Sequence, residues 1–103
     1  MAVINWTDQA QTDLVNIAEF IAKDSARYAK ITVERIRTSV KKLAIHPLLG
    51  RKVPELEMEA IREIILGNYR IIYYVVSAHQ IDILAVHHSA KRLDIDELSQ
   101  KPI

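Results

Sequence analysis

An α+β domain is predicted by three features of this 103-residue chain. Two consecutive segments repeat apolar residues at helical spacing. Three later segments are short runs rich in Ile, Val and Tyr, separated by turn residues. Half of the residues are hydrophobic, enough for one small core. The predicted order is an N-terminal strand, an antiparallel helical hairpin, then a three-stranded antiparallel meander (β-α-α-β-β-β), with the hairpin covering one face of the sheet. All of residues 1–103 are assigned to this single domain.

Residues 2–6 alternate Val3 and Asn5 against Ile4 and Trp6, a short strand expected at a sheet edge. Thr7 or Asp8 can cap a helix by accepting from the first-turn N–H groups, and Ala10, Leu14, Ile17, Ala18 and Ile21 carry its apolar stripe to about Lys23. Asp24 and Ser25 interrupt the pattern. Ala29, Val33, Ile36, Val40 and Leu43 then define a longer helix, which should end near Ile45 or His46 because Pro47 disfavours helical geometry in the residue before it. So short a linker forces the two helices antiparallel. Segment 46–59, with two prolines and a glycine, is expected to be an ordered crossing loop. The meander follows, its first turn at Gly67-Asn68 and its second within 77–80. Segment 89–100 is compatible with a short helix docked through Leu93 and Leu98, or with a tail.

The register of the last hairpin follows from its turn. A connection centred between Ala78 and His79 pairs Val76 with Ile81, Tyr74 with Ile83, Ile72 with Ala85 and Arg70 with His87. Arg70, Ile72, Tyr74, Ile83, Ala85 and His87 then share one face, and Tyr69, Ile71, Tyr73, Val75, Leu84, Val86 and His88 the other. A one-residue slip exchanges His87 for His88, so an arginine opposite a histidine near the sheet's end is expected either way.

Cysteine is absent, which excludes disulfides, thiol chemistry and thiolate metal sites. Four histidines without clustered acids make a poor metal site, and no cofactor is expected. The net charge of +1 gives no global bias toward nucleic acid or membrane. Locally, Arg51, Lys52, Arg62, Arg70, Lys91 and Arg92 fall in the second half of the chain and could form a basic patch. The N-terminal stretch has no basic start followed by a long apolar run, and no segment approaches the roughly 18 to 20 apolar residues of a membrane span, so the expected compartment is the cytoplasm.

Several junctions carry a resemblance when taken in order: His46-Pro47 to Gly50-Arg51, Val53-Pro54-Glu55, Ile61-Arg62-Glu63, Tyr69-Arg70-Ile71-Ile72-Tyr73, and Val86-His87-His88-Ser89-Ala90-Lys91-Arg92. Over nearly the whole chain they resemble the RelE/ParE superfamily of type II toxin-antitoxin modules, closer in wording to the ParE-like plasmid-stabilisation toxins. The resemblance implies a small toxin held inactive in a hetero-oligomer by a cognate antitoxin whose flexible segment wraps across it. ParE-like members are understood to poison DNA gyrase, whereas RelE-like members cleave messenger RNA on the ribosome.

Metal-free RNA cleavage needs a base, an acid and cations at the phosphate. Under the RelE-like alternative Arg70 would supply the cation, His87 or His88 would transfer protons, and Lys91 and Arg92 would hold the substrate backbone. Arg70 matches by motif the superfamily arginine that contacts the scissile phosphate. The tail LDIDELSQKPI departs from the RNases in having no tyrosine. The chain is therefore read first as a gyrase-directed toxin, with Arg51, Lys52, Arg62, Arg70, Lys91 and Arg92 as candidate target or antitoxin contacts. The RNase and a degenerate, non-toxic interaction module are the alternatives. The competing structural readings pair Arg70 with Glu63 across the first hairpin, leave Arg51-Lys52 solvated, and make Tyr69, Tyr73 and Tyr74 packing residues. A sheet backed by only two helices should also leave apolar surface, on its open face or along the helix groove, for an amphipathic and mostly acidic antitoxin segment.

Overall fold

Thr7 decides where the first strand stops and the first helix begins. In the computed structural model, which describes residues 1–88, its hydroxyl accepts from Ala10 N at 3.2 Å and donates to the carbonyl of Ile83 at 2.7 Å. One side chain thus caps α1 (Asp8–Ala22) and ties the end of β1 (Val3–Trp6) to the carbonyl of Ile83 in the neighbouring strand. Ser25 caps α2 (Ala26–Lys41) in the same way, accepting from Tyr28 N at 3.1 Å, and a 3₁₀ turn at Lys42–Ala44 ends the helical hairpin ahead of Pro47. Both helices match the sequence expectation closely.

Segment 46–59 is more structured than a crossing loop. Arg51–Lys52 forms a two-residue strand, β2, pairing antiparallel with β3 (Ile61–Leu66) through Arg51 with Glu63 and Lys52 with Arg62. Two residues leave no apolar alternation to read, which is why periodicity misses it. β3 turns at Gly67-Asn68, with Gly67 at φ 57°, into β4 (Tyr69–Ser77), and Ala78-His79 leads to β5 (Gln80–His88). The sheet order is β1-β5-β4-β3-β2, and β1 runs parallel to β5, so the sheet is mixed.

The faces of the last hairpin differ from those expected in two places. Ser77 pairs with Gln80 around the anticipated centre, but Val75 then pairs with Ile81 and Tyr73 with Ile83; only at Ile72–Ala85 and Arg70–His87 does the expected register return. Val76 is an extra residue in β4 and Leu84 an extra residue in β5, two bulges that shift the ladder by one and shift it back. Ile83, expected beside Arg70, therefore packs on the helical side, and Leu84 takes the opposite face.

Two cores result. Ala10, Leu14, Ile36, Val40 and Leu43 of the hairpin pack on Ile71, Tyr73, Ile81, Ile83 and Val86. Each fully buried Ile or Leu here contributes about 1.5–3 kcal/mol. Loop 53–60 folds back over the other face, where Val53 and Leu56 meet Ile61, Ile72, Tyr74, Leu84 and Ala85. That face is consequently covered by the chain itself over this area. Beyond Trp6, where β5 has lost its β1 neighbour, the Asp13 carboxylate of α1 accepts from Val86 N at 2.8 Å.

Candidate functional site

The polar chemistry of the loop-covered face gathers on Glu63. Its carboxylate is fully buried, and Arg51 donates to Oε2 through Nε and Nη2, both at 2.7 Å. Arg70 donates to Oε1 through Nε at 2.8 Å and through Nη2. The remaining donors of Arg70 form a two-pronged pair with Glu55, Nη1 to Oε2 at 2.9 Å and Nη2 to Oε1 at 3.0 Å. Burying a carboxylate this completely is costly unless it is paired, and two guanidinium groups supply its hydrogen bonds. The hydrogen bonds from Arg70 hold the Glu55 carboxyl below its ordinary pKa, and the two carboxylates, Glu55 foremost, raise that of Arg70.

A second set of bonds fastens the Pro47 turn beside this cluster. The Tyr73 hydroxyl donates to Pro47 O at 2.8 Å and accepts from Gly50 N at 2.9 Å; burial raises its pKa and keeps it a donor. Arg62 reaches back to Gly50 O at 2.9 Å and also holds Glu59. Gly50 lies so close to β3 that a Cβ there would stand 2.4 Å from Glu63 O. This close approach is the reason for a glycine at that position.

The four described basic residues singled out from sequence are thus all engaged with glutamates. Arg51 and Arg70 hold Glu63, Arg62 holds Glu59, and Lys52 pairs with Glu59 at 3.1 Å. The structure brings Arg51 and Arg70 together on one carboxylate and keeps Lys52 and Arg62 at the β2–β3 edge. The Arg70–Glu63 pair was readable from the Gly67-Asn68 turn. Glu55 was not, because nothing local in Val53-Pro54-Glu55 says that loop 53–60 folds over β4. Lys91 and Arg92, and segment 89–100, lie outside the described residues.

At the end of the sheet, register sets His87 opposite Arg70, buried, while His88 faces the helical side, exposed, with its ring edge-on to Tyr69 at 5.6 Å. Burial raises the Tyr69 phenol pKa. Both histidines border a groove of about 530 Å³ between α1 and the β4–β5 end, lined also by Asp13, Asn16, Ile17, Phe20, Tyr69 and Val86. Phe20 leaves 70% of its surface to solvent. Sequence reading passed over this residue because it lies off the apolar stripe, and an aromatic on the polar side of an amphipathic helix is the signal that could have found it. Among the described residues, no group of His, Asp and Glu could hold a metal ion, and no helix is long and apolar enough to cross a membrane.

Comparison with solved structures finds this arrangement of helical hairpin and sheet elsewhere. A chain of the chromosomal ParDE toxin-antitoxin system from P. aeruginosa superposes with a TM-score of 0.70 at 24% identity, covering 85% of this chain and 96% of the other. A chain of the RelBE2 toxin-antitoxin complex from Mycobacterium tuberculosis gives a TM-score of 0.56 at 25% identity, with 84% and 96% covered. No curated protein gave a significant match. The fold is that of the RelE/ParE superfamily. Within it the chain belongs to the ParE toxin family: the profile described as the ParE toxin of the type II toxin-antitoxin system, parDE, matches residues 4–93.

Proposed function

We propose that this toxin acts by poisoning DNA gyrase in the cytoplasm and is neutralised by a cognate antitoxin, as in plasmid-stabilisation modules. The family match over residues 4–93 carries the reading. The ion-pair cluster supports it, since both carboxylates around Arg70 would have to yield before its guanidinium could meet a scissile phosphate. The direct test is a supercoiling assay with purified protein. Inhibition or accumulation of cleavage complexes at micromolar protein is expected, and neither effect at that level would rule the reading out.

For the antitoxin, the groove beside Phe20 and Tyr69 supplies apolar surface next to polar groups that could orient a bound segment. Phe20→Glu is expected to weaken a coexpressed toxin-antitoxin hetero-oligomer at least about tenfold, read by calorimetry, because it puts a charge where an apolar anchor would be buried. Unchanged affinity would move the antitoxin elsewhere. One observation favours a second reading, a ribosome-dependent mRNA endonuclease: the cross-strand pairing of Arg70 with His87. In that reading Arg70, His87 or His88, and Lys91 or Arg92 carry the chemistry. New cuts in primer extension on translating ribosomes would support it, and their absence would remove it.

A further inference from the structure

We propose that the outward side of α2 docks on the sugar-phosphate backbone of duplex DNA. Residues 27–42 hold six basic side chains, Arg27, Lys30, Arg35, Arg37, Lys41 and Lys42, all exposed, against one acid, Glu34, a net +5 in a chain whose total is +1. Residues 7–24, which include α1, hold four acids and one lysine, a net −3. The near-neutral total therefore conceals a strongly polarised helical layer.

Arg27, Lys30, Glu34, Arg37 and Lys41 recur at alternating spacings of three and four, one stripe opposite the buried Ala29, Ile36 and Val40. At 1.5 Å per residue the stripe is about 21 Å long. Among the described residues, the ion pairs are formed by Arg51, Lys52, Arg62 and Arg70, and none of the six basic residues between positions 27 and 42 takes part in one. Arg37 lies over the Trp6 ring at 5.6 Å, which aims its guanidinium without neutralising it.

The composition of the stripe selects the occupant. It has no apolar side chain, whereas a stable protein partner needs a desolvated apolar or aromatic centre. Lys and Arg without an apolar anchor suit phosphates, whose binding is driven by counterion release. The proposal does not rest on the gyrase reading and survives a negative supercoiling assay.

The test is fluorescence anisotropy of a labelled short DNA duplex with the full chain between about 50 and 200 mM KCl. A Kd on the order of 10 µM at the low end is expected, with a log–log salt slope of about −3.6, four phosphate contacts at 0.9 each. Lys30→Gln with Lys41→Gln, and separately Arg27→Gln with Arg37→Gln, should each flatten the slope by about two units. Thr12→Glu with Val15→Glu makes the same change in total charge on α1 and should leave the slope intact. Thermal melts of each variant report folding, and the two independent pairs keep the test open if one fails to fold. No anisotropy change at low salt, pair variants that match the parent, an α1 control that loses as much, or tighter binding to a polyglutamate peptide would each overturn the proposal.

Discussion

Replacing Arg70 separates a structural arginine from one that meets a target. In Arg70→Ala the Glu63 carboxylate loses its donors on Oε1 while remaining fully buried, and Glu55 loses both of its bonds. Breaking a buried pair by removing one partner costs about 3–5 kcal/mol. Arg51 keeps its two contacts to Oε2, which sets the expectation at the lower end, about 3 kcal/mol. For a domain of this size that is a fall in Tm of about 12–24 °C. Urea denaturation followed by circular dichroism measures it, and a double-mutant cycle locates it. Arg70 with Glu63 should couple by about 2–3 kcal/mol. Arg70 with Glu55, whose side chain is 36% exposed, should couple by less than about 1 kcal/mol after solvent screening. If Arg70→Ala keeps the parent's urea midpoint yet loses growth arrest on induction, the stabilising role is refuted and Arg70 becomes a target contact.

Two further outcomes follow from the same region. Gly50→Ala would drive a methyl group into the β3 backbone, and the turn must shift away from Tyr73; a loss of about 1–3 kcal/mol is expected, and an unchanged urea midpoint would contradict the close approach. The Glu55 pKa lies below its ordinary value in the folded state, chiefly through Arg70, so its contribution is full above the unfolded pKa and is lost as pH falls through the folded one. The stability advantage of the parent over Glu55→Gln should therefore hold from neutral pH to the ordinary glutamate pKa and shrink below it; an advantage that grows in acid would reverse the assignment.

Local signals were enough for the helices and for most of the meander. Thr7 and Ser25 offer caps, the apolar stripes repeat at helical spacing, and Gly67-Asn68 supplies a turn, all interactions closed within a few residues. The stripe on α2 is equally legible, because the basic residues from Arg27 to Lys42 cluster more densely in the sequence than those from Arg51 onward. Register needed more. The Arg70–His87 pairing was recovered because the bulges at Val76 and Leu84 cancel, although the faces between them were not. A bulge is chosen by what each face must bury, here Ile83 against the helices and Leu84 under loop 53–60, and alternation along one strand carries no sign of that choice.

By itself, then, the sequence determined the order of elements, the antiparallel hairpin, the arginine facing a histidine and the resemblance that the family match bears out. Only the tertiary structure decided that β1 joins β5 in parallel, that Arg51–Lys52 extends the sheet, that Glu55 closes on Arg70, and that α1 and the sheet end enclose a groove beside Phe20. The physical reason is range. Caps, stripes and turns are settled by neighbours in the chain, whereas the state of a charge depends on which distant carboxylate the fold delivers to it. For Arg70 those carboxylates stand 7 and 15 positions away.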